Sequence, residues 1–256
     1  MPYAPVLQTV LDREPEPPGG VIGTDVEYDA DGVLCRGYLA VPAEADGPVP
    51  GVLVVHDWLG VTDATRFRCD MLARLGYAAF AADVYGAEVR PDGAEAAGVA
   101  GRFYGDQALW RSRLTAALDR LAAEPAADAG RLAAIGYCFG GASALQLARQ
   151  GADLKAVVSF HGGLSTGPEG EAERIRAKLL VLTGAADPHV PVEDVTALEN
   201  ELGGVPEVDW QVVSYSGAMH AFTVPFANAP EHGAAYDERA DRRSWTAMKD
   251  FLVEVL

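Results

Sequence analysis

Residues Leu132 to Gln150 confine this chain to few architectures. Four apolar residues, Leu132 to Ile135, run straight into Gly136-Tyr137-Cys138-Phe139-Gly140-Gly141, and a helix-forming segment, Ala142 to Gln150, follows at once. That order reads as strand, very tight turn, helix. It is the setting in which a nucleophile elbow lifts a reactive side chain onto a strained corner above a sheet. Gly136 and Gly140 lie two residues either side of Cys138, where a side chain would collide with the neighbouring strand or helix. A helix start behind Cys138 favours developing negative charge there. The alternative for Cys138 is a buried structural thiol beside glycines that only let a helix pack closely.

The rest of the chain supplies a sheet for such a corner. Residues 1–20, punctuated by Pro and Gly, read as an irregular arm. Val21 to Tyr28 and Val33 to Val41 are β-rich runs split by Asp31-Gly32, a hairpin turn pair. Gly51 to Val55 is the fully apolar run a central parallel strand needs, and it ends in His56-Asp57-Trp58-Leu59-Gly60. Asp63 can cap a helix on which Phe67, Met71 and Leu75 recur every four residues.

Further strands are expected at Tyr77 to Ala82, Ala156 to Phe160, Leu179 to Leu182 and Val208 to Tyr215. Further helices are expected at Leu109 to Ala123 and Val192 to Leu202. A C-terminal helix should bury Trp245, Met248, Leu252 and Val255 as one stripe. Strands alternating with helices imply an α/β fold: a mostly parallel central sheet with helices on both faces and an N-terminal antiparallel hairpin at one edge. No repeat or shift of composition divides residues 21–256, so they read as one domain.

Composition narrows the function. The chain of 256 residues carries 37 acidic against 20 Lys and Arg side chains, a net charge of −17. With no basic stripe to displace counterions, nucleic acid is excluded as a partner. No apolar run reaches membrane-spanning length, and the N-terminus lacks the pattern of a secretory signal. Cys35, Cys69 and Cys138 have no metal spacing and cannot all pair, which fits reduced thiols in the cytoplasm. Cys35 and Cys69 read as small buried hydrophobes.

In open α/β sheets the site lies beyond the carboxyl ends of the strands. Asp57, Cys138, Asp187 and His220 all stand at such ends. Cys138, Asp187 and His220 follow one another as nucleophile, acid and base, with 49 and then 33 positions between them, room for one or two βα units each. That is the chain order of the α/β-hydrolase fold.

The sequence resembles the dienelactone hydrolase family from Val21 onward. The resemblance is carried by Val54-Val55-His56-Asp57-Trp58-Leu59-Gly60, Ala82-Asp83-Val84-Tyr85-Gly86, Gly136-Tyr137-Cys138-Phe139-Gly140-Gly141, Gly184-Ala185-Ala186-Asp187-Pro188 and Gly217-Ala218-Met219-His220-Ala221-Phe222. It implies a Cys138–His220–Asp187 triad, and an oxyanion hole from the backbone N–H groups of Trp58 and Phe139. The implied reaction is cysteine-dependent hydrolysis of a small ester or lactone through a thioester, with no metal and no cofactor.

Two departures matter. Asp57 stands where the family has Glu as the thiol's partner acid; one methylene shorter, it either serves the thiol or only orders the loop around Trp58. No cation follows His220, where the family binds a substrate carboxylate with Arg, and neither Arg102 nor Arg113 can be assigned that role. An uncharged or bulkier acyl substrate therefore fits better than a dienelactone carboxylate.

Trp58, Tyr85 and His161 are candidate pocket-lining residues; His189 and His232 read as surface residues, and His56 as a local hydrogen-bonding group. The rivals are a true carboxymethylenebutenolidase, a non-catalytic small-molecule binder and a thiol redox protein. A monomer or weak homodimer is expected.

Overall fold

The structure, a computed structural model, describes residues 3–256. Contacts along the chain divide it into two compact units, with the division after Ala133.

The first unit opens with a helix, α1 (Pro5–Leu11). This corrects the expectation of an irregular arm over residues 1–20, of which the first two lie outside the described residues. Pro5 occupies the first turn, where its missing N–H costs no bond, and Leu7, Val10 and Leu11 are buried at helical spacing. They pack α1 against α2 (Asp63–Arg74). Arg74 Nη1 donates to the carbonyls of Leu11 and Glu14 at 3.2 and 2.8 Å, satisfying the end of α1. Before the helix, the Tyr3 hydroxyl donates to Asp70 at 2.7 Å.

β1 (Val21–Ala30) and β2 (Val33–Pro42) form the expected antiparallel hairpin. Asp31 and Gly32, at φ 52° and 75°, make its two-residue turn. β2 pairs antiparallel with β4 (Ala78–Ala82), and β4 pairs parallel with β3 (Val49–Val55). Every residue of β4 and the last five of β3 are buried, which is why these runs carry no polar alternation. Thr62, not Asp63, caps α2, accepting from the Ala64 N–H at 3.3 Å; Asp63 is already the first helical residue. α3 (Ala96–Gly105) and α4 (Gln107–Ala122) follow, α4 capped by Asp106. α2 packs on β2, β3 and β4, and α4 on β1, β3 and β4.

The second unit contains α5 (Phe139–Arg149), β6 (Ala156–Phe160), β7 (Lys178–Gly184), α6 (Val192–Gly203), β8 (Trp210–Tyr215) and α7 (Glu238–Val255). A two-strand pair, β9 (Asn228–Ala229) and β10 (Ala234–Ala235), lies between β8 and α7. β6 pairs parallel with β7, and β7 parallel with β8. α5 and α7 pack on β6, and α7 also on β7. Trp245, Met248 and Leu252 are buried as expected, joined by Phe251, while Val255 is only half-buried.

β5 (Ala127–Tyr137) carries the chain from one unit into the other and falls between β3 and β6 in the strand order. The sheet is thus mostly parallel, with the antiparallel hairpin at its start. Among the described residues no helix is long and apolar enough to cross a membrane.

Candidate active site

Cys138 is the residue between β5 and α5, at φ 56° and ψ −115°. A non-glycine residue held there costs about 1–3 kcal/mol and persists only where its surroundings enforce it. The surroundings are specific. The Cys138 N–H donates to the Phe160 carbonyl at the end of β6 at 3.0 Å, and the Cys138 carbonyl accepts from Gly141 N–H at 3.0 Å and Ala142 N–H at 3.2 Å, opening α5. A Cβ on Gly136 would collide with the carbonyl of Gly140, so the strand and the helix turn can come this close only without a side chain. Cys138 is half-buried, whereas Cys35 and Cys69 are buried.

Asp187 stands three residues past β7 and His220 five residues past β8. The two loops are laced by main chain: Ala185 N–H donates to Tyr215 O and Ala186 N–H to Ala218 O, both at 2.9 Å. His220 is gripped by its own backbone. Its N–H donates to Gly233 O at 2.9 Å, and its carbonyl accepts from Ala235 N–H at 3.0 Å. Gly233, at φ 74°, lies so close to Pro188 that a side chain there would overlap the proline ring.

These loops bring three side chains into one line. His220 Nδ1 lies 2.9 Å from Asp187 Oδ2, and His220 Nε2 lies 3.1 Å from Cys138 Sγ. The second carboxylate oxygen, Oδ1, accepts from the His189 N–H at 2.8 Å, which fixes the acid from both sides. The Asp187 side chain is fully buried and the imidazole largely so. Burial lowers the proton affinity of His220, but the bonds to Asp187 and Cys138 outweigh it and push the group up to about 10. An imidazole so placed can accept a proton from sulphur. Phe139, the other second-unit candidate, is the first residue of α5, where helical N–H groups begin.

His161 directly follows β6 and is completely buried. It shares a 2.8 Å hydrogen bond from Nε2 with Thr223 Oγ1, and its ring centroid lies 5.1 Å from that of His220. His189 is exposed, as expected, yet its ring also lies 5.1 Å from His220, and its Nε2 meets the His232 carbonyl at 3.0 Å. Reading the sequence alone overlooked the partnership of Thr223 with His161, the place of His189 beside the base, and the grip of Gly233 and Ala235.

The first unit holds the remaining candidates. Asp57 is buried just past β3, and its Oδ1 accepts from the Leu59 N–H at 2.8 Å, ordering the loop that carries Trp58. Burial, partly offset by that amide, raises the Asp57 carboxyl to about 6. Val84 N–H donates to His56 Nε2 at 3.2 Å, so the ring proton sits on Nδ1 and is donated to the Asp57 carbonyl at 2.6 Å. Burial lowers His56 to about 4, in keeping with a neutral local clamp. Trp58 is 40% exposed, while Tyr85 is buried, its hydroxyl donating to Trp58 O at 3.2 Å and its ring stacked on Phe103. Among the described residues no group of three or more His, Cys, Asp or Glu side chains is arranged to hold a metal ion.

The family described as the dienelactone hydrolase family matches residues 35–256 of the chain. A solved structure of a dienelactone hydrolase-like promiscuous phosphotriesterase from metagenomic libraries is 42% identical, with a TM-score of 0.89 over 92% of this chain and 98% of that one. A provisionally named dienelactone hydrolase from Klebsiella pneumoniae is 26% identical, with a TM-score of 0.80 over 91% of this chain and 99% of its own. An Escherichia coli K12 protein, provisionally named a carboxymethylenebutenolidase, is 27% identical over 97% of this chain and 93% of its own length.

Proposed function

This chain belongs to the dienelactone hydrolase family of ester- and lactone-cleaving enzymes, and we propose that it works through Cys138 as nucleophile, His220 as base and Asp187 as orienting acid. The observation that carries this reading is the single imidazole spanning Asp187 at 2.9 Å and Cys138 at 3.1 Å. Asp187 holds the Nδ1 proton in place, which leaves Nε2 directed at the thiol.

His220 takes the thiol proton as sulphur attacks the carbonyl carbon of a small ester or lactone. The carbonyl electrons move to oxygen, and the proposed receivers of that oxyanion are the backbone N–H groups of Phe139 and Trp58, each contributing about 3 kcal/mol. Collapse breaks the bond to the alcohol oxygen, which leaves with the proton from His220 and gives a thioester on Cys138. Water, deprotonated by His220, then attacks the thioester; the acid departs and the thiol regains its proton. Asp57 is the proposed partner acid of the resting thiol. Three free thiols fit a reducing compartment, and the cytoplasm is the proposed location.

Turnover of p-nitrophenyl acetate tests the reading. We expect it to be measurable, fastest for short acyl chains, blocked by iodoacetamide, and lower by at least about 10³-fold in Cys138→Ala. Unchanged turnover in Cys138→Ala overturns the assignment. Binding of a small ester without turnover of any would favour a non-catalytic binder.

The relative at 42% identity favours a second reading, in which the same thiol also attacks phosphorus. A p-nitrophenyl dialkyl phosphate tests that directly. The Escherichia coli relative's name points to carboxymethylenebutenolide as substrate. Against it, Ala221, Phe222, Thr223, Val224 and Pro225 follow His220 with no cation to meet a carboxylate.

A further inference from the structure

Three non-glycine residues of the second unit have positive φ: Cys138 at 56°, His161 at 39° and Ala221 at 57°. Two of them belong to the proposed machinery, as the nucleophile and as the residue next to the base. The third does not, and yet His161 is tied to both. Phe160, the residue before it, accepts the Cys138 N–H through its carbonyl, and the His161 N–H donates to Leu182 O on β7 at 2.8 Å. That backbone twist turns the imidazole inward, where its centroid lies 5.1 Å from His220 and 5.1 Å from Phe222, both edge to face. Its Nε2 then meets Thr223, itself buried, three residues past His220.

The hydrogen bond from Nδ1 to Asp187 fixes one point of the His220 ring but leaves it free to rock about that bond. Directing Nε2 at sulphur needs a second constraint on the ring plane. His189 gives its ring as a neighbour, but its side chain bonds to the His232 carbonyl and not to the segment after His220. His161 meets the ring of His220 and also bonds to that segment.

We propose that His161 is a positioning residue: by holding Thr223 and packing against Phe222, it sets the tilt of His220 so that one imidazole addresses Asp187 and Cys138 together. The proposal rests on Cys138 and His220 being nucleophile and base.

The test compares His161→Phe, which keeps a ring but loses the bond, with Thr223→Val and His161→Gln. Two readouts are used: p-nitrophenyl acetate kinetics, and the pH profile of Cys138 alkylation by iodoacetamide. We expect His161→Phe and Thr223→Val each to lower kcat roughly 10- to 100-fold with KM within about threefold. The double variant should fall no further than the worse single, because both remove one contact. His161→Gln, which can still bond to Thr223, should recover most of the loss.

The alkylation profiles of His161→Phe and Thr223→Val should shift away from that of wild type, because Nε2 no longer meets the thiol squarely. The titratable groups facing His220 are Cys138, Asp187, His161 and His189, and all remain in Thr223→Val. A shift there therefore reports geometry rather than a removed charge. Should His161→Phe fail to fold, Thr223→Val carries the test. Losses that multiply in the double variant, or single variants with kcat and alkylation profile within twofold of wild type, overturn the proposal. A wild-type protein that turns over no ester overturns the hydrolase mechanism instead, and the alkylation profiles still decide on His161: shifted profiles uphold its role and unshifted ones refute it.

Discussion

Asp57 is a carboxylate buried just past β3, and its environment makes a thermodynamic statement. Its folded value, about 6, lies above the ordinary 3.8, so the folded chain holds this proton more tightly than the unfolded chain. Its contribution to stability is therefore full below about pH 4 and is lost as pH rises through 6. Asn cannot ionise and keeps an oxygen for the Leu59 N–H. We expect Asp57→Asn to be more stable than wild type at pH 8, by at most roughly 3 kcal/mol, with the gap closing toward pH 4. Urea unfolding at both values checks this, and a pH-independent gap would contradict it. Asp57, Cys138, Asp187 and His220 stood out in the sequence as polar residues in the segments that follow strands, and the structure brings Cys138, Asp187 and His220 together. His161 stands at such a position too, but its inward turn was hidden. Nothing in Phe160-His161-Gly162 announces a positive φ at a histidine, and its partner Thr223 is 62 positions away.

Elements with buried parallel strands were read correctly because a fully apolar run has few other uses; β3, β4 and β6 are the examples. α1 was missed since its buried face spans only seven residues and depends on α2 for a partner. β9 and β10, two residues each, are too short to carry a period, although β10 supplies Ala235, whose N–H helps to grip His220. α5 and α6 are joined by a pair that no local pattern reveals. Arg149, 3% exposed at its side chain, donates from Nε to Glu201 Oε1 at 3.1 Å and from Nη2 to Oε2 at 2.7 Å. Glu201 Oε1 also accepts the Gly167 N–H at 3.1 Å, tying down the segment after β6. Removing the carboxylate charge strands a buried guanidinium. Glu201→Gln should lower stability by about 3–5 kcal/mol and expose residues 163–170 to proteolysis; an unchanged urea midpoint would refute it.

At the scale of the molecule, a charge of −17 makes the folded chain repel itself, and salt relieves that repulsion as the screening length falls toward about 10 Å at 0.1 M. The melting temperature should rise between about 10 and 200 mM NaCl, as calorimetry would record; a fall would mean that ion pairs such as Arg66–Asp25 outweigh the net charge. The family was readable because its motifs fall at strand ends across the whole chain, whereas substrate choice depends on surfaces that no motif encodes. β5 begins in one compact unit and ends, one residue short of Cys138, in the other. Cys138, Asp187 and His220 all fall within the second unit, so the proposed mercaptan would meet both of its partners without a side chain from the first.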